Sequence, residues 1–156
     1  MFAMSESVGV RLDQPDTTLP LLQFHDLKHY CVPYSLFNLV PLSEEEREHI
    51  LTDLGGGFRC DVKHLTHLRK KGCGWSVENL RRPKIVTPGA LYAYTQTKQA
   101  RISKLMVMFG THAVGIDVKR GCVFDPAERR ALPLTLATLV ACGMGDDELD
   151  VWIVLG

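Results

Sequence analysis

The stretch Thr111-His112-Ala113-Val114-Gly115-Ile116-Asp117-Val118-Lys119-Arg120-Gly121-Cys122-Val123-Phe124-Asp125-Pro126 decides the fold. Two runs rich in Val, Ile and Phe flank Lys119-Arg120-Gly121, the pattern of a β-hairpin. If Lys119 and Arg120 form a two-residue turn, Val118 pairs with Gly121 and Val114 faces Asp125. Side chains alternate along a strand, so His112 and Val114 share a face. Asp125 then lies on that face, diagonal to His112 and within reach. Asp117 has the other parity and points away. A one-residue change in the turn would break the register. The bland alternative is that His112 ends a strand and Asp125-Pro126 only makes a turn.

Working outward, positions 75–80, 104–109 and 149–155 also read as strands, and 135–140 as a short helix. Upstream the pattern changes. Cys31-Val32-Pro33-Tyr34-Ser35-Leu36-Phe37-Asn38-Leu39-Val40 is mostly apolar and reads as a buried helix. Pro33 fits its first turn, where an N–H would lack a partner anyway. Ser43 and Glu46 form a capping box for a helix that runs to Leu54 and stops at Gly55-Gly56-Gly57. Val62, Leu65 and Leu68 recur at helical spacing over 61–71, and Gly72 supplies the stop. Helices first and strands afterwards predict an α+β fold, with N-terminal helices packed on a C-terminal antiparallel sheet. Without a repeat or linker, residues 1–156 read as one domain, with 1–20 as an extended arm.

The bulk composition narrows the function classes. The chain has 156 residues, 46% hydrophobic and 23% charged, which is ordinary globular material. Eighteen basic residues cancel eighteen acidic ones, so no net field favours nucleic acid or an anionic membrane. Arg69-Lys70-Lys71 and Arg81-Arg82 read as solvated charge. No apolar run approaches the ~20 residues of a membrane helix. The first residues lack a basic stretch followed by an apolar one, so no secretory signal is expected. Five cysteines, at 31, 60, 73, 122 and 142, include no CxxC pair, so reduced thiols in the cytoplasm are expected.

Thiol catalysis needs a nucleophilic sulfur, an imidazole that takes and returns its proton, and a third group that orients the imidazole. A helix N-terminus favours negative charge on such a sulfur. Cys31 stands where the apolar helix begins. Taken alone, a cysteine in an apolar stretch is more often a core residue.

Taken together, HAVGIDVKRGCVFDP resembles the histidine and aspartate strands of papain-like cysteine peptidases, in particular the compact viral leader and bacterial effector proteases. YCVPYSLFNLV is similar to their nucleophile helix. The order Cys, His, Asp matches, across two blocks of the chain. The resemblance implies a papain-like fold, with Cys31 as nucleophile, His112 as general base and acid, and Asp125 as the orienting group. It implies a glutamine oxyanion donor a few residues before the cysteine. Gln23 is the candidate, and His25, His29 or the Cys31 N–H are substitutes. Val32 and Pro33 depart from the small and aromatic residues that often follow the family's cysteine.

A rival constellation is Cys60, His64, His67 and Cys73. On one helix the first three would share a face, and four such ligands suit tetrahedral zinc, though the spacing matches no common finger. Gly55-Gly56-Gly57 lacks the Lys-Ser/Thr of a phosphate loop and reads as a plain loop. Tyr92, Tyr94 and Trp75 are candidates for a substrate cleft or, as strand aromatics, for the core. Asn38 either supports the site or bonds locally.

The expectation is a cysteine protease-like thiol hydrolase that cleaves a peptide or isopeptide bond, with a protein or peptide substrate and no cofactor, nucleic-acid or membrane partner. The alternatives are a catalytically inactive papain-like domain that binds a protein partner, a transglutaminase-like acyltransferase, and a zinc-stapled interaction domain.

Overall fold

The computed structural model describes residues 31–53, 74–97, 103–110, 112–128, 130–145 and 148–156. In chain order the elements are helix α1 (Cys31–Leu39), helix α2 (Glu44–Asp53), strand β1 (Ser76–Asn79) and helix α3 (Pro88–Thr95). Strands β2 (Lys104–Phe109), β3 (His112–Asp117), β4 (Cys122–Phe124) and β5 (Leu132–Pro133) follow. Helix α4 (Leu136–Leu139) runs into a turn over Val140–Met144 that is kinked at Gly143 (φ 107°), and strand β6 (Leu149–Leu155) follows. The fold is thus mixed α+β, as expected.

The strands form one antiparallel sheet of order β1-β6-β2-β3-β4-β5. Its decisive register is Asp117 opposite Cys122, Ile116 opposite Val123 and Gly115 opposite Phe124. This is the register that follows from a turn at Lys119 and Arg120. The Gly121 N–H donates to the Val118 carbonyl at 3.2 Å, closing that turn. Gly121 takes φ 67°, a left-handed conformation that costs a residue without Cβ little.

Alternation along the strands sorts the core into two layers. Met106, Met108, Ala113, Cys122, Phe124 and Val154 pack with Val32, Leu36, Phe37 and Leu39 of α1. Leu105, Val107, Phe109, Val114, Ile116, Val123 and Val151 face the other way, onto Leu91 of α3, Leu139 of α4 and Met144. Both faces of the sheet are therefore covered, and the central strands read as nearly continuous apolar runs for that reason.

Helix α1 is apolar on almost every side, and seven of its nine residues are buried. It can lie close on β3 because residue 115 is glycine. A Cβ there would stand 3.0 Å from Leu39 Cγ and 3.2 Å from the Ser35 carbonyl oxygen. The buried Ser35 hydroxyl donates to the Cys31 carbonyl at 2.7 Å and lies 3.2 Å from the Ala113 carbonyl. One side chain thus ties the helix turn that carries Cys31 to the strand residue beside His112. The capping box of α2 forms as expected. The Glu46 N–H donates to Ser43 Oγ and the Ser43 N–H to Glu46 Oε1, each at 3.1 Å.

Two features differ from the sequence expectation. Tyr92 and Tyr94 lie on α3 and not in a strand, because Thr87 caps that helix and Pro88 opens it. The Thr87 hydroxyl accepts the Ala90 N–H at 3.1 Å. The short edge strand β5 was not anticipated. The expected helix over 61–71, the glycine run and the arm lie outside the described residues. Among the described residues, no helix is long and apolar enough to cross a membrane.

Candidate active site

Cys31 is the first described residue of α1, and it is only 6% exposed.

His112 opens β3, paired with the last residue of β2, Phe109. The Phe109 ring meets the imidazole edge-on, with centroids 5.5 Å apart and planes at 87°. His112 Nε2 lies 2.7 Å from Asp125 Oδ1. The same oxygen accepts the Ala127 N–H at 3.0 Å. Asp125 follows β4 directly and is itself buried. An ionised carboxylate only accepts hydrogen bonds, so Nε2 carries the proton of this pair. That leaves Nδ1 as the ring nitrogen open to the Cys31 thiol, which stands close enough to the ring to help raise its pKa.

Strand parity puts His112 and Asp125 on the sheet face that α3 and α4 cover, whereas Cys31 arrives with α1 on the opposite face. The three meet because His112 is the end residue of its strand. A histidine further along β3 would be walled off from α1 by the sheet.

The electrostatics follow from this packing. Burial of the His112 ring works against its charged form. The hydrogen bonds to Asp125 and Cys31, with the charges of both groups, outweigh it and raise the pKa to about 9. Burial of Asp125 works against its ionisation. The hydrogen bonds from His112 and the Ala127 N–H, the His112 charge and a hydrogen bond from Cys142 prevail, and hold its carboxyl below the usual range.

Cys142 was not singled out in the sequence. It sits half-buried in the kinked turn after α4, where burial and the charges of Asp125 and Glu128 push its pKa up to about 12. Nothing in its spacing from Cys31, His112 or Asp125 marks it. Ser35 was equally overlooked, although a serine four residues after Cys31 on an apolar helix was a readable signal. Asp117 behaves as its parity demands: it is buried at the far end of β3, accepts the Arg120 N–H at 3.1 Å and stands 3.9 Å from Arg120 Nε. Asn38 bonds locally, donating to the Tyr34 carbonyl at 2.9 Å.

The oxyanion candidate Gln23, its substitutes His25 and His29, and the zinc candidates Cys60, His64, His67 and Cys73 lie outside the described residues. Among the described residues, no group of three or more His, Cys, Asp and Glu side chains is arranged to hold a metal ion. Cys31, Cys122 and Cys142 are thiols, not disulfides.

A thiol, an imidazole and a carboxylate in series can pass a proton from sulfur to ring while the carboxylate holds the ring's orientation and charge. No family model, curated protein or solved structure matches the chain.

Proposed function

We propose that the chain is a papain-like thiol hydrolase that cleaves a peptide or isopeptide bond. In this reading Cys31 is the nucleophile, His112 the general base and acid, and Asp125 the orienting group. The observation that carries it is the 2.7 Å contact of His112 Nε2 with Asp125 Oδ1, with Cys31 close enough to the ring to help raise its pKa.

The chemistry balances with these groups alone. His112 takes the Cys31 proton, and the thiolate attacks the carbonyl carbon. In this reading backbone N–H groups near Cys31 would hold the developing oxyanion. As the tetrahedral intermediate collapses, the C–N bond breaks and the amine leaves with the proton from His112. Water, deprotonated by His112, then attacks the thioester, and Cys31 recovers its proton as the acid departs. An amine in place of that water would give acyl transfer from the same intermediate.

The test is to treat the purified chain with a peptidyl vinyl sulfone and map the adduct by mass spectrometry. One equivalent on Cys31, absent after His112→Ala, is the expected result. Labelling that spares Cys31, or that survives His112→Ala unchanged, contradicts the assignment.

A further inference from the structure

Strand β3 separates its His112 end from its Asp117 end by roughly 17 Å, at ~3.3 Å per residue. At the Asp117 end lies a cavity of about 590 Å³, between the C-terminal part of α1 and the β3–β4 turn. Small-molecule sites occupy about 300–1,000 Å³. Helix α1 and the residues after it give the cavity an apolar side that includes Phe37 and Pro41. The strands and the turn bring three cations to it, Lys104 of β2 with Lys119 and Arg120, against one carboxylate, Asp117.

These charges do not cancel. Asp117 is only 7% exposed, its Oδ1 accepts the Arg120 N–H at 3.1 Å, and its Oδ2 stands 3.9 Å from Arg120 Nε. Lys104 Nζ donates to the Gly156 carbonyl oxygen at 3.2 Å, which leaves two of its N–H groups. Lys119 pairs with no acid among the described residues. The C-terminal end of α1 adds about half a negative charge, too little to offset the remaining cations. The frame is also set in advance. The Val118 N–H donates to the Ser103 carbonyl at 2.7 Å and the Gly121 N–H to the Val118 carbonyl at 3.2 Å, so a ligand need not order the turn.

We propose that this cavity is a second binding site, for a small phosphomonoester. Its phosphate sits among Lys104, Lys119 and Arg120, and its apolar body lies against Phe37 and Pro41. A phosphomonoester carries about −1.5 to −2 charge at neutral pH, which matches the surplus better than a monocarboxylate does. The Arg120 guanidinium offers paired N–H groups to phosphate oxygens, and the lysines add point charges. The site stands apart from the triad reading, because it occupies the other end of β3.

The test is an amide NMR titration of the nitrogen-15-labelled full chain with phenyl phosphate. The expected result is saturable shifts at Leu39, Ser103, Lys119, Arg120 and Gly121, with a Kd at or below about 1 mM. Lys119→Gln with Arg120→Gln keeps the Arg120 N–H bond to Asp117 but removes two charges, and should weaken binding about tenfold or more. Arg81→Gln with Arg82→Gln removes the same charge from an exposed pair outside the cavity, and should leave the Kd unchanged. Shifts that fail to saturate by roughly 10 mM, a Kd that survives the turn variant, or an equal loss in the Arg81 and Arg82 variant overturns the proposal. Should the double turn variant fail to fold, Lys119→Gln alone decides: a weaker Kd supports the site and an unchanged one overturns it.

Discussion

At His112, burial and partnership oppose each other, and partnership prevails with a pKa of about 9. Asp125 is the partner that can be changed without touching the ring. Asp125→Asn removes the carboxylate charge and its pull on the Nε2 proton. The His112 midpoint, followed by NMR of the ring protons, should fall toward the ordinary imidazole value of about 6.5. Loss of the base's orientation should cut turnover by about 10²-fold or more. An unchanged midpoint would mean that the 2.7 Å contact carries no electrostatic weight. Ser35 acts one step further out. Ser35→Ala leaves the buried Cys31 and Ala113 carbonyls short of a donor, for a loss of about 1–3 kcal/mol in urea unfolding.

At the scale of elements, the meeting of helix α1 and strand β3 depends on Gly115. Gly115→Ala puts a methyl within 3.0 Å of Leu39 Cγ, so the helix must shift. Overpacking of this kind costs about 1–3 kcal/mol. It should also slow Cys31 labelling, because the same shift separates sulfur and ring. A variant as stable and as reactive as the parent would show that the helix packs more loosely. Ser43→Ala serves as the contrast. It removes the cap of α2, costs about 1 kcal/mol, and should leave Cys31 reactivity unchanged.

These elements also show what was legible beforehand. The β3–β4 hairpin could be read to the residue, because Lys119-Arg120-Gly121 sets the turn and a period of two does the rest. That parity set Asp125 on the His112 face and removed Asp117. Helix α3 departs from the sequence reading although Thr87-Pro88 is a start signal, because Tyr92 and Tyr94 read equally well as strand aromatics. The approach of Cys142 to the charge of Asp125 could not be read at all, because it depends on the kink at Gly143 and on which helix covers the second face of the sheet, and both are set by tertiary packing.

At the scale of the whole molecule, the two sheet faces carry separate cores, and the candidate site sits at the end of the sheet where the elements covering both faces can reach it. The protonation of that site is coupled to folding. The folded His112 pKa lies above its unfolded value. Its contribution is therefore complete below pH 6.5 and is lost as pH rises through about 9. The folded Asp125 pKa is lowered, so its contribution is present above the ordinary carboxylate range and is lost as pH falls through the folded value. Between pH 6.5 and 9 the unfolding midpoint should thus decline more steeply for the parent chain than for His112→Ala. Parallel slopes for the two proteins would contradict the raised histidine pKa.

The central claim is a working pair of Cys31 and His112, and the most direct measurement is the pH dependence of Cys31 alkylation. Brief treatment with iodoacetamide, followed by peptide mass spectrometry of every cysteine, reads each thiol in one experiment. The account predicts that Cys31 labels rapidly below pH 7 and at least tenfold more slowly in His112→Ala, while Cys142 stays inert in both. Equal rates for Cys31 in the two proteins across the pH range would contradict it.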